Sequence, residues 1–449
     1  MKYDYKELIT YMGMKKLPKG FVEAYGYYEP DEEKVLMPRE CYEELLAPYS
    51  LPAEKKNYLD EALDAMEKDD KVLEFSKFFV WDMCSVRNKY DIDNYTELVP
   101  ECLGNYNEAY AFLVLLACVP VAEKEMKRRG IPKEYYEDIP HRMLRDQLKR
   151  YLETGKIDVE DMPWKMNFYT LSIFLLDRFL FIPYMFGDPF TLYRSRKDGR
   201  VIGISDADYT VDCEGQLVTE ESSKGNEGKP GTGFEYARRT AKSQATFRTT
   251  KTEDDKAVEG YYLNPCGFVE NKKVTLLKDE YEVALDKDDW LIALHIPAGE
   301  GYTPERVRGS MKLAVDFYQK YYPELNIKGF WSESWLYDKR LSLLIGKGKN
   351  ITNVQEEFFC YSGGWDGEML YIHLFHDMEA KLEESIVTTS LQKNAKQFLL
   401  DGGRFCSTGM VFLTGELENG KHYITKEDEE VFYKLMKEND MGGAICGRN

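Results

Sequence analysis

Apolar residues recur at spacings of three and four through the first part of the chain, which predicts helices up to about residue 182. Leu59, Ala62, Leu63 and Met66 form one such stripe. Ala109 to Ala122, apolar on every face and containing Pro120, reads as a buried helix. Lys124 to Arg129 followed by Gly130 gives an ordinary solvated helix end with a stop signal. Trp164 to Ile182 is expected to be a further, mostly apolar helix. After Pro183 the period shortens to that of strands. Leu192–Arg196 and Arg200–Ile204 flank Lys197-Asp198-Gly199 as a hairpin, Tyr209–Cys213 and Gln216–Val218 flank Glu214-Gly215, and Val274–Leu277 and Tyr281–Leu285 form another expected pair. Thr219 to Lys256 is rich in Gly, Ser, Thr and Lys, and is expected to be a surface insertion, mobile or only locally ordered. The pattern predicts an α+β chain: a helical domain over 1–183, then a mixed sheet over 184–449 with an insertion at about 219–258.

The segment from Trp290 to Phe359 carries the most information. Trp290 to Pro297 is apolar on both alternating faces, as a central buried strand is. Thr303 and Pro304 then open a helix as N-cap and first helical residue, and Val307, Met311, Ala314, Tyr318 and Tyr321 give it an inward stripe. Ile327 to Ser334 reads as the next strand. A strand–helix–strand crossover of this length predicts two parallel strands. His295 and Ser332 or Ser334 then lie near the carboxyl ends of neighbouring strands, beside the helix N-terminus, where open sheets take ligands. Gly299 and Gly301 let an anion approach that end.

The chain has 60 Lys plus Arg against 79 Asp plus Glu, a net charge of -19, which argues against nucleic acid as the main partner. The N-terminus lacks the basic start and apolar run of a secretion signal, and the apolar stretch holding Pro120 is shorter than the ~20 residues a membrane span needs. Nine cysteines without a CxxC pair fit free thiols in a reducing cytoplasm. His373, His376, Asp377 and Glu379 invite a metal reading. On a strand over Met369–Phe375, however, the two histidines point to opposite faces, so no metal is expected. Asp366 and Glu368 are a glycosidase-like acid pair by composition only.

Leu294-His-Ile-Pro-Ala-Gly299, Thr303-Pro-Glu305, Ser310, Ala314-Val-Asp-Phe317, Ser332-Glu-Ser-Trp-Leu336 and Asn350-Ile351 with Phe358 resemble bacterial acyltransferase domain-containing proteins, which join an N-acyltransferase N-terminal domain to a GNAT-like C-terminal domain. Asp177-Arg-Phe-Leu-Phe181 and Thr389-Ser-Leu-Gln392 with Gly402-Gly403 are weaker echoes. The resemblance implies a GNAT-type sheet, acyl-coenzyme A as donor and transfer of the acyl group to an amine; it does not supply the acceptor, which is expected to be a small-molecule amine, and direct transfer needs no covalent enzyme intermediate. It leaves the oligomeric state open. Gly299, Gly301, Thr303 and Arg306 become the expected coenzyme A contacts. Ile296 stands where such loops carry Gln or Arg, and Arg306 and Arg308 are placed to offset the charge of Glu300. His295 is the candidate base, Ser334 the group that orients substrate or His295, and Tyr361, next to Cys360, the candidate acid for the departing thiolate. The serines lack a G-x-S-x-G elbow. Three classes stay open: a coenzyme A-dependent N-acyltransferase, a catalytically degenerate GNAT-fold binding or interaction module, and a hydrolase of a glycan or ester.

Overall fold

The computed structural model describes residues 2–14, 17, 20–85, 99–219, 230–241, 243, 245–364, 366–419 and 423–439. The chain is α+β and divides into two compact units, Met1–Leu176 with Leu180–Pro183, and Asp177–Phe179 with Tyr184–Asn449.

The first unit is built from helices Tyr5–Met12 (α1), Phe21–Tyr27 (α2), Arg39–Leu46 (α3), Ala53–Lys68 (α4), Asp70–Cys84 (α5), Tyr110–Arg128 (α6), Ile139–Thr154 (α7) and Met162–Tyr169 (α8). Asp4 caps α1 by accepting from the Lys6 and Glu7 amides, and Asp69 caps α5 from Lys71 and Val72. The Leu59–Ala62–Leu63–Met66 stripe of α4 is fully buried, as is α6 from Tyr110 through Cys118 apart from trace exposure at Ala111, so both expectations hold. The helix expected over Trp164–Ile182 is instead α8 followed by strands Phe174–Leu176 (β1) and Phe179–Met185 (β2). Leu171 and Asp177 both adopt positive φ, 51° and 58°, which a right-handed helix does not accommodate. The apolar run that looked helical is therefore a short helix and two strands.

The second unit continues with strands Phe190–Ser195 (β3), Val201–Ser205 (β4), Thr210–Val211 (β5), Phe247–Arg248 (β6), Lys251–Glu253 (β7), Ala257–Asn264 (β8), Phe268–Leu277 (β9), Tyr281–Leu285 (β10), Trp290–His295 (β11), Gly329–Ser334 (β12), Phe359–Ser362 (β13) and Thr408–Leu413 (β14). One sheet of this unit has the order β10-β3-β4-β8-β7, with β9 also on β8. The other contains β11-β12-β14-β13. The β3–β4 hairpin forms in the expected place. The expected β9–β10 pair does not: β9 lies antiparallel to β8 and β10 to β3. Period-two alternation marks residues as strand without choosing their neighbour.

The stretch expected as a surface insertion, mobile or only locally ordered, holds a short helix, Gly233–Ala237 (α9), as well as β6 and β7. Thr249 within it is fully buried and donates to the Asp206 carbonyl at 2.6 Å. Residues 220–229, 242 and 244 of that stretch lie outside the described residues. Helices Pro304–Tyr321 (α10), Leu341–Ile345 (α11), Asn350–Gln355 (α12), Glu368–Phe375 (α13), Ser390–Leu400 (α14), Glu416–Asn419 (α15) and Lys426–Glu438 (α16) complete the unit. Met369–Phe375, read above as a strand, belongs to α13. Leu370, Tyr371, Leu374 and Phe375 make the helical stripe that packs it.

Candidate active site

β11 and β12 pair in parallel as the crossover predicts, with Leu291 opposite Gly329, Ile292 opposite Phe330 and Ala293 opposite Trp331. This ladder ends at Ala293 and Trp331, short of the ends of both strands. On its other flank β12 stays paired with antiparallel β14 through Ser334 opposite Thr408. The two parallel strands thus part at their carboxyl ends, and the Ile296–Thr303 loop and α10 begin beside the parting.

The α10 start follows the sequence reading closely. Thr303 is the N-cap, its hydroxyl accepting from the Arg306 amide at 3.3 Å, and Pro304 follows in the first turn. Val307, Met311, Ala314, Tyr318 and Tyr321 are all buried. Gly299 and Gly301 take φ of 120° and 92°, which a side chain would strain. Arg306 forms two bonds with the Asp177 carboxylate at 2.7 and 2.6 Å. That contact, with the Ser310 hydroxyl donating at 2.8 Å, lowers the Asp177 pKa from its ordinary value. Arg308 pairs with Glu357. Arg306, expected as a coenzyme A contact, and Arg308, expected to offset Glu300, are therefore both held by carboxylates of the same unit. Arg178, which fell within a weaker family echo but was given no role, reaches the loop: its guanidinium donates to the carbonyls of Pro297 at 2.6 Å, Gly299 at 3.1 Å and Glu300 at 2.8 Å.

Side-chain alternation sorts the candidates onto two faces. Ala293 and Trp331 are opposite each other in parallel strands and share a face, which puts His295 on the Trp331 side. Ser332 and Ser334 point to the other side, over which α10 lies, with Arg308 5.6 Å above the Phe412 ring. Ser334 is buried there and its hydroxyl accepts from the Leu336 amide at 3.2 Å, capping a single turn. His295 and Ser334 accordingly do not converge.

Tyr361 belongs to the His295 face. Its ring lies across Gly409, where an added Cβ would come within 2.2 Å of Cζ, and packs 4.5 Å from Phe190. The Trp331 indole N–H is shared between the Tyr361 hydroxyl at 2.6 Å and the Asp188 carboxylate at 2.9 Å, and the indole stacks on Tyr184 with centroids 4.2 Å apart. Asp188 also accepts from the hydroxyls of Tyr361 and Tyr184. Burial pushes the Asp188 carboxyl up to about 6 despite these three donors. Burial, then the nearby Asp188, raises Tyr361 well above the ordinary phenol value, so it stays protonated. Burial lowers His295 to about 4, which leaves its imidazole neutral near pH 7.

Asp188 escaped the sequence reading because Gly187-Asp188-Pro189 looks like any turn. Its one local signal is the aromatic flank of Tyr184, Phe186 and Phe190.

The remaining candidates are elsewhere. Asp366 and Glu368 flank Arg238, at 3.9 and 2.5 Å. Asp366 and Arg238, with Arg239, Asp212 and Arg404, border a cavity of about 280 Å³. His373 lies in the last turn of α13 and His376 just beyond it. Among the described residues no group of three His, Cys, Asp or Glu side chains could hold a metal ion, and no helix is long and apolar enough to cross a membrane. The eight cysteines among the described residues are free thiols, and Cys446 lies outside them.

A mixed sheet that parts between two parallel strands, with a glycine loop and helix N-terminus at the parting, defines a GNAT-like domain. Family comparison agrees: residues 41–171 match the N-acyltransferase N-terminal domain and residues 231–412 the GNAT-like C-terminal domain. The chain belongs to the family of N-acyltransferase proteins that join these two domains. Comparison with curated proteins finds no match. Among solved structures it is similar to an acyltransferase in complex with decanoyl-CoA (14% identity, 91% of this chain and 99% of that one, TM-score 0.52). It is equally similar to an acyltransferase in complex with decanoyl-CoA and teicoplanin, and to one with CoA and 10C-teicoplanin (each 14% identity, 92% of this chain and 99% of that one, TM-score 0.52). At this identity the likeness is one of fold.

Proposed function

We propose that this protein is an acyl-coenzyme A-dependent N-acyltransferase that moves an acyl group directly to the amine of a small-molecule acceptor. The observation that carries the reading is the parting of β11 from β12 beside the Ile296–Thr303 loop, in a chain of this family. The thioester arm of the donor would enter the parting and its pyrophosphate would lie on the loop at the α10 N-terminus. The acyltransferases of similar fold that hold CoA or acyl-CoA support the donor, and those holding a teicoplanin support an acceptor of small-molecule type.

In the transfer the amine nitrogen attacks the thioester carbonyl, a C–N bond forms, the C–S bond breaks, and coenzyme A leaves as thiolate. Asp188 receives the amine proton, since a carboxyl at about 6 is mostly ionised yet basic near neutral pH. Tyr361 protonates the thiolate and regains its proton from Asp188, its hydrogen-bond partner. His295, neutral and on the same face, offers a hydrogen bond rather than a charge. Free thiols throughout the described chain suit a reducing cytoplasm.

Two features, Ile296 in the loop and Arg306 already paired with Asp177, favour the second reading, a GNAT-fold module that binds without turnover. Incubation with an acyl-coenzyme A series and a panel of amines, followed by thiol release and product mass, separates the two. Amine-dependent thiol release with an amide product supports transfer. Coenzyme A binding without release under any amine supports the binding module.

A further inference from the structure

Arg178 spends its guanidinium on the carbonyls of Pro297, Gly299 and Glu300. In a trans peptide the carbonyl and the following N–H point in opposite directions. With three carbonyls of the loop turned toward Arg178, the amides of Ala298, Glu300 and Gly301 turn away from it. Among the described residues no backbone carbonyl accepts from these three amides. The guanidinium also neutralises the carbonyl dipoles that would otherwise repel a phosphate from this loop. Asp177, the preceding residue, holds Arg306 and Ser310 of α10, so two consecutive side chains fix both the loop and the helix that follows. Gly299 and Gly301 lie close along this cation: a Cβ on either would stand about 4 Å from Arg178 side-chain atoms, at 3.9 and 4.0 Å.

We propose that Arg178 is a positioning residue that presents the Ala298, Glu300 and Gly301 amides to the pyrophosphate of the donor without touching it. This rests on the coenzyme A reading above.

The test compares coenzyme A with pantetheine, which keeps the thiol arm and lacks the pyrophosphate, by calorimetric titration of the full chain and its Arg178→Gln and Arg178→Lys variants. Arg178→Gln is expected to weaken coenzyme A about tenfold or more, the scale of hydrogen bonds to a charged group, while pantetheine affinity stays within about twofold. Arg178→Lys, which keeps the charge and loses the fork, is expected to fall between. Equal loss for both ligands, or no loss in Arg178→Gln, overturns the positioning role. If Arg178→Gln does not fold, Arg178→Lys decides by the same ratio. Wild-type protein that binds coenzyme A no better than pantetheine overturns the donor reading itself, and the inference with it.

Discussion

Trp331 on β12 donates its indole N–H to Asp188 at 2.9 Å, tying the strand beside the parting to the only acid of the Tyr184–Phe190 turn. Through the Tyr361 hydroxyl the same indole reaches β13, so three segments far apart in sequence meet in one polar cluster beside the rings of Tyr184 and Phe190.

Replacing Asp188 by Asn should lower kcat by about 100-fold, the lower end of what general acid–base catalysis contributes. In the wild type the acid limb of kcat/KM should fall near pH 6, where this carboxyl ionises, and the limb should vanish in Asp188→Asn. A pH–rate profile of both proteins checks this.

The same shift has a consequence for stability. A carboxyl raised to about 6 in the fold favours folding most below its ordinary value of 3.8, and this contribution is lost as pH rises through about 6. Denaturant titrations at pH 4 and pH 8 should show wild type losing on the order of 2 kcal/mol relative to Asp188→Asn across that interval. His295 works in the other direction. Lowered from 6.5 to about 4, it contributes stability that is present above pH 6.5 and lost as pH falls toward 4, and His295→Gln should abolish that loss.

Gly409 is the neighbour that allows Tyr361 its position, with no room for a Cβ under the ring. Gly409→Ala should cost about 1–3 kcal/mol, as overpacking does, and should reduce activity more than Ser334→Ala, whose residue lies on the other face of the sheet. Thermal melts and a transfer assay on the two variants give the comparison.

A buried ion network forms the other polar centre of the second unit. Arg404 bonds Glu214 at 2.6 Å and Asp212 at 2.5 Å, and Arg340 bonds Glu214 at 3.1 Å and Asp338 at 3.2 Å. Arg404→Met should destabilise by about 3–5 kcal/mol because it strands buried carboxylates. Denaturant unfolding measures it.

Much of this was readable before the structure. The β11–α10–β12 crossover follows from an apolar run, the Thr303-Pro304 start and a stripe of every third or fourth residue, all of them local signals. Partner choice among strands was not local, and β10 went to β3. The site followed the same division. His295 ends the strand that the pattern marked and Tyr361 came only from the family resemblance, whereas Asp188 and Arg178 make their contacts with residues more than a hundred positions away, at Trp331 and Pro297. A salt bridge such as Arg306–Asp177 likewise cannot be read from charges alone in a chain with 79 acids.

The most direct test of the central reading is a calorimetric titration of the full chain with coenzyme A. Saturable binding of one coenzyme A per chain, tighter than pantetheine, is the expected result. Absence of binding at about 1 mM, a free energy weaker than about -4 kcal/mol, would contradict it.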